Sequence, residues 1–193
     1  ESSRYLFQNA SLLVVFLLAA ILNLALVGLT IGVPVIVAKH LGMRSSFVGI
    51  IEVAMGLGGL VGSGLVGIWP HRFSFKGICR YVAMICFGVV PIIVTLLSGP
   101  DELAFAALAA GSAWVMAWAS ITSVEIVSFV QRSAPKELCG KVLALVYMTL
   151  SCATPIGQLV YGLAYDRWTP AIVFAGMLAV LTLTTALFYR LKS

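Results

Sequence analysis

No Asp, Glu, Lys or Arg occurs between Leu12 and Ala38. A helix needs only about 20 apolar residues to cross bilayer hydrocarbon, so this run is long enough to span. It is too long for the core of a signal peptide, no small-residue cleavage site follows it, and five similar stretches come after it. It is therefore read as part of the mature structure. The six stretches cover approximately residues 11–38, 45–69, 77–98, 103–130, 141–165 and 170–189. Turn chemistry such as Ser98-Gly99-Pro100-Asp101 and Ser133-Ala134-Pro135 separates them. A membrane β-barrel would instead need segments of about ten residues alternating in hydrophobicity, and these runs are continuous. Composition agrees: 61% of the residues are apolar and 10% charged, against about 25% charged in a soluble domain. The fold expected is all-α and integral to the membrane, with six transmembrane helices.

The charges that remain set the orientation. An even number of spans puts both ends of the chain on one side. That side holds nine basic residues: Arg4, Arg72, Lys76, Arg80, Arg132, Lys136, Lys141, Arg190 and Lys192. The opposite side holds three, Lys39, Arg44 and Arg167, beside Asp101, Glu102 and Asp166. Excess Lys and Arg in short loops marks the cytoplasmic face, so both termini are expected there. The net charge of +5 is accounted for by these loops and does not point to nucleic acid. Cys86 and Cys152 fall inside apolar stretches and Cys79 and Cys139 at cytoplasmic edges. No pair has metal-ligand spacing, a reducing compartment disfavours disulfides, and no metal or cofactor is expected.

Glycine spacing predicts how the helices meet. Gly58 and Gly62, or Gly59, Ser63 and Gly67, recur every four residues on one face of the second stretch, as Gly28 and Gly32 do in the first. Small residues at that interval let helix backbones approach closely in lipid. Gly62 and Gly67 near the end of the second stretch are echoed by Gly157 and Gly162 near the end of the fifth, and these two stretches run in opposite directions. Three helices followed by three inverted helices is an internal symmetry found in transporters.

The segment Gln131-Arg132-Ser133-Ala134-Pro135-Lys136-Glu137-Leu138-Cys139-Gly140-Lys141-Val142, followed by Pro155-Ile156-Gly157 and Gly162, resembles the region from the tenth to the eleventh helix of the major facilitator superfamily. It is most similar to the macrolide-efflux-like branch of bacterial exporters. Gly67, Arg72 and Lys76 stand where that superfamily carries a cytoplasmic Gly-acid-Arg-basic motif, although the acidic position is absent and Pro70-His71 intrudes. The resemblance implies helices seven to twelve of a twelve-helix transporter. With Glu1 rather than Met at its start, the chain is expected to be a piece of something longer, partnered by an N-terminal six-helix half of the same protein.

Ionisable side chains within the bilayer are costly and so mark candidate function. Glu52 lies well inside the second stretch and is the candidate proton-coupling acid. Glu125 lies about 10 Å of helical rise from Arg132, near the cytoplasmic edge. It is the candidate gate acid, with Lys141 or Arg80 as partner. Asn23 and Gln158 are candidate solute contacts, as are Trp114 and Trp118, four apart on one face; each has the competing reading of interhelical packing or hydrogen bonding. Pro34, Pro91 and Pro155 interrupt their helices, and Pro155 with Gly157 is the candidate hinge.

With these features the resemblance implies a secondary transporter half that exports a drug-like or metabolite small-molecule solute by alternating access, coupled to protons, in a bacterial inner membrane. An intramembrane serine protease would need a buried histidine, whereas His40 and His71 lie in loops, so no enzyme is expected. The alternative is a non-transporting membrane scaffold or channel subunit.

Overall fold

The computed structural model describes residues 10–70, 73 and 77–192. Arg4, His71, Arg72 and Lys76 lie outside the described residues, as do the side chains of Lys136, Arg190 and Lys192. Among the described residues the chain is helical, with no strand. It forms α1 (Ala10–Val35), continued by a wide π-helical turn (Ile36–His40), then α2 (Ser45–Ile68), α3 (Ile78–Ser98), α4 (Asp101–Ser133), α5 (Lys136–Arg167) and α6 (Pro170–Lys192). Lipid offers backbone N–H and C=O groups no partner, so a spanning segment must satisfy them internally. Five of the helices are long and apolar enough to cross a membrane, and the part of α6 whose side chains are described, Pro170–Ala186, is a shorter apolar helix.

Helix ends follow local chemistry. Both α4 and α5 run past their apolar stretches at each end. At α4, Pro100 sets an extended residue before the helix, and Asp101 and Glu102 occupy its first turn; acids there complement the positive end of the helix dipole. At α5 the same arrangement uses Pro135 and Glu137, with Arg167 in the last turn. Gly42, at φ 61°, turns the chain between α1 and α2, in a left-handed conformation that glycine adopts without a Cβ clash.

Two helix pairs form the closest seams. In the α2–α4 seam, a Cβ on Gly58 would run into the Ala113 carbonyl oxygen, and one on Gly62 into that of Ala117. In the α1–α5 seam, the rings of Tyr161 and Tyr165 lie on Gly28 and Gly32, while Gly157 packs on Leu24 and Val27. Of the glycine spacings in the sequence, Gly58/Gly62 and Gly28/Gly32 carry these contacts, and Gly67 has open space around it. Lipid tails are as apolar as leucine, so close packing of this kind, rather than hydrophobicity, holds such helices together.

The principal packing pairs are α2–α4, α3–α4, α1–α5, α1–α6, α3–α6 and α1–α4. Exchanging α1 with α4, α2 with α5 and α3 with α6 turns α2–α4 into α1–α5 and α3–α4 into α1–α6, and leaves the other two unchanged. The glycine echo obeys the same exchange. Gly62 and Gly157 both press on a neighbouring helix, while Gly67 and Gly162 both face open space. This is the packing of two inverted three-helix repeats around one core, in which Leu29, Ile36, Ile51, Ile85, Leu108 and Phe174 are fully buried.

Candidate functional site: a cavity and two polar helix faces

Where α1, α4 and α5 converge, with Ile85 of α3 behind them, they leave a cavity of about 80 Å³. Its wall is mostly aliphatic, from Leu22, Leu26, Ile126 and Leu150 among others; its polar groups are Asn23, Thr122, Ser123 and Tyr147. None of the lining residues is charged. The Thr154 hydroxyl, which donates to the Leu150 carbonyl at 3.0 Å, shares that hydrogen with Asn23 Oδ1 at 3.3 Å, which links α1 to α5 beside the cavity. Thr122 donates to the Trp118 carbonyl at 2.7 Å, as hydroxyls inside helices commonly do, and Ser123 is exposed.

Of the residues singled out as solute contacts, only Asn23 lines this cavity. Trp114 and Trp118 stand on the α3 side of α4. The Trp114 indole N–H donates to the Met84 carbonyl at 2.9 Å, and Trp118 stacks on Tyr81 with centroids 5.9 Å apart. Their place in the structure is the α3–α4 seam. Tyr147, Thr122, Ser123 and Thr154 were not singled out from the sequence. The phase of Tyr147 was the available signal: it precedes Gln158 by 11 residues, about three helical turns, and so shares its face.

Glu52 and Gln158 are both exposed on the six-helix unit. On α2, Glu52 shares its face with Gly49, Gly56 and Ser63, all exposed; on α5, Gln158 shares its face with Ala144, Tyr147 and Ser151, also all exposed. Large apolar side chains such as Val53, Leu57 and Val61 occupy the adjoining exposed face of α2. Adding 95 to Gly49, Glu52, Gly56 and Ser63 gives Ala144, Tyr147, Ser151 and Gln158 in order, and the same interval relates Gly62 to Gly157. Each repeat therefore carries one small-and-polar face at the same register.

Glu125 is 3% exposed, and its Oε2 lies 4.0 Å from Arg132 Nη2 with no hydrogen-bond partner. Arg132 therefore reaches back along its own helix to this carboxylate, while its Nε donates to the Ser128 carbonyl at 3.1 Å. The ion pair of Glu125 is thus with Arg132, and neither Lys141 nor Arg80, both exposed, enters it. Pro155 faces outward at mid-helix, whereas Gly157 is buried against α1.

Residues 1–193, the whole chain, match the profile of the transmembrane secretion effector family of the major facilitator group. No curated protein and no solved structure gives a significant match.

Proposed function

We propose that this chain, which belongs to the transmembrane secretion effector family and is a multi-pass membrane transporter, forms the C-terminal half of a bacterial inner-membrane exporter that moves a drug-like or metabolite solute against a proton flux. The observations that carry this reading are the cavity between α1, α4 and α5 and the exposed polar faces of α2 and α5, the second of which brings Tyr147 to the cavity wall. A carboxylate exposed to hydrocarbon is strongly disfavoured, so the face bearing Glu52 is covered by protein or water rather than by lipid. The occupant we assign is the N-terminal six-helix half of the same protein. Its own small and polar faces would meet those of α2 and α5, with the cavity enclosed between the halves.

Within this reading Glu52 is the coupling acid, neutral when closed off from water and ionised when wetted. Asn23 and Tyr147 offer hydrogen bonds to the solute, and Gln158 completes the wall beyond them. Glu125 and Arg132 form the cytoplasmic gate, with Arg80 and Lys141 as exposed cations within the same end of the bundle. Both termini lie in the cytoplasm. Pro155 and Gly157 give α5 its hinge, since proline removes a backbone donor at mid-helix and the glycine permits close contact with α1.

The test is transport by the complete protein in proteoliposomes carrying an imposed pH gradient. Wild-type protein is expected to dissipate the gradient on addition of at least one solute from a panel of lipophilic amines and neutral amphiphiles. Glu52→Gln is expected to fold and to bind that solute but not to move protons. Full proton-driven export by Glu52→Gln would remove this residue from the coupling role.

A further inference from the structure

The 95-residue interval extends beyond the polar faces. Gly67-Ile68-Trp69-Pro70-His71-Arg72, which begins in the last turn of α2, corresponds to Gly162-Leu163-Ala164-Tyr165-Asp166-Arg167 at the end of α5. Both read Gly, three residues, a titratable residue, then Arg. In the second copy the titratable residue is an acid, and it is engaged: Asp166 Oδ1 lies 3.2 Å from Lys39 Nζ. Among the described residues this is the ion pair that joins two different helices; the other, Arg132 with Glu125, stays within α4.

Lys39 sits in a segment built to bend. Pro34 lies inside α1 and removes one helical hydrogen bond. Beyond it the helix widens into the π turn, where Leu41 N–H donates to the Ile36 carbonyl at 2.8 Å and Met43 N–H to that of Val37 at 2.9 Å. Widened turns of this kind mark changes of direction within helices. Before the proline, α1 is fixed to α5: the Tyr165 hydroxyl donates to the Gly28 carbonyl at 3.0 Å, and the same hydroxyl lies over Gly32. After it, Ile36 and Val37 are buried in the core, and Lys39–Asp166 is the polar tie to α5.

We propose that Lys39 and Asp166 latch a hinged arm, Pro34 to His40, onto α5 at the end of the bundle opposite Glu125. The arm is the gate element of that second mouth, and this gate role rests on the transport reading above. Both side chains are well exposed, so the latch is weak and reversible. Exposed ion pairs of this kind contribute about 0.2–1 kcal/mol, so breaking one is expected to raise arm opening by about 1.5- to 5-fold.

The experiment measures thiol labelling of Val37→Cys in the complete protein in nanodiscs, with every native cysteine, including the four of this chain, replaced by alanine and no solute present. Val37 is fully buried, so its labelling rate reports opening of the arm. Lys39→Asp and Asp166→Lys should each raise that rate by about 1.5- to 5-fold, and the combined exchange Lys39→Asp/Asp166→Lys should restore it. Val33→Cys, equally buried but on the near side of Pro34, should stay slow throughout. Ile36→Cys is the reporter if Val37→Cys does not fold. Unchanged rates in both reversals, a rise that the exchange does not reverse, or an equal rise at Val33→Cys would each overturn the latch. Because labelling is read without solute, a protein that transports nothing while its arm responds as described overturns the transport reading and leaves the latch standing.

Discussion

At Asn23 a half-buried amide meets the Thr154 hydroxyl across the α1–α5 seam and also lines the cavity. The two roles separate by measurement. Hydrogen bonds between membrane helices average about 0.6 kcal/mol in double-mutant cycles. Asn23→Ala, Thr154→Val and the double variant should therefore show a coupling of that order in the unfolding free energy of the detergent-solubilised protein. Solute affinity should fall for Asn23→Ala but much less for Thr154→Val; equal losses would make Asn23 a packing residue alone. Glu125 poses the corresponding question at the proposed gate. Its buried carboxylate has one cation 4.0 Å from Oε2, and that oxygen has no hydrogen bond, a poorly compensated arrangement for a buried acid. Glu125→Gln is expected to keep solute binding and to shift the balance between inward- and outward-open states, read as changed thiol accessibility on the two sides of the membrane. Unchanged accessibility would leave the pair without a gating role.

The helical seams were readable in advance because small-residue spacing is a local signal tied directly to geometry. Gly58 and Gly62 carry the α2–α4 contact, and adding even a methyl group there meets backbone that cannot rotate away. Gly62→Ala should lower stability by about 1–3 kcal/mol, the usual cost of overpacking. Gly162→Ala, in open space, should be neutral or gain up to about 1 kcal/mol from reduced backbone entropy in the unfolded chain. Thermal or denaturant unfolding of the purified protein checks both, and equal effects would contradict the seam. Side-chain roles were less readable. Trp114 and Trp118 share a face, as their spacing indicated, but spacing does not say which neighbour that face meets; it is α3, through Met84 and Tyr81. Tyr147 was hidden by the reverse problem. It lies in a continuous apolar run, and its access to the cavity depends on the rotation of α5 against α1. Glu125 was recognisable as a buried acid near the cytoplasmic edge. Its pairing with Arg132 needed the side-chain paths, because about 10 Å of helical rise separates their backbones.

At the scale of the whole molecule, two copies of a three-helix unit share one core. The exchange that relates them carries Glu52 onto Tyr147 and the polar face of α2 onto that of α5. In the proposed reading these two equivalent faces receive a second bundle of the same kind, and the cavity between α1, α4 and α5 is one wall of the shared path. The account therefore makes a sharp distinction between this 193-residue chain alone and the same chain joined to an N-terminal six-helix half. The direct measurement is solute-dependent proton flux in vesicles containing each at equal density, followed with a pH-sensitive dye in the lumen. Flux above that of empty vesicles is predicted for the joined protein, abolished by Glu52→Gln, and flux no greater than that of empty vesicles for the six-helix chain alone. Solute-dependent flux through the six-helix chain by itself would contradict the account.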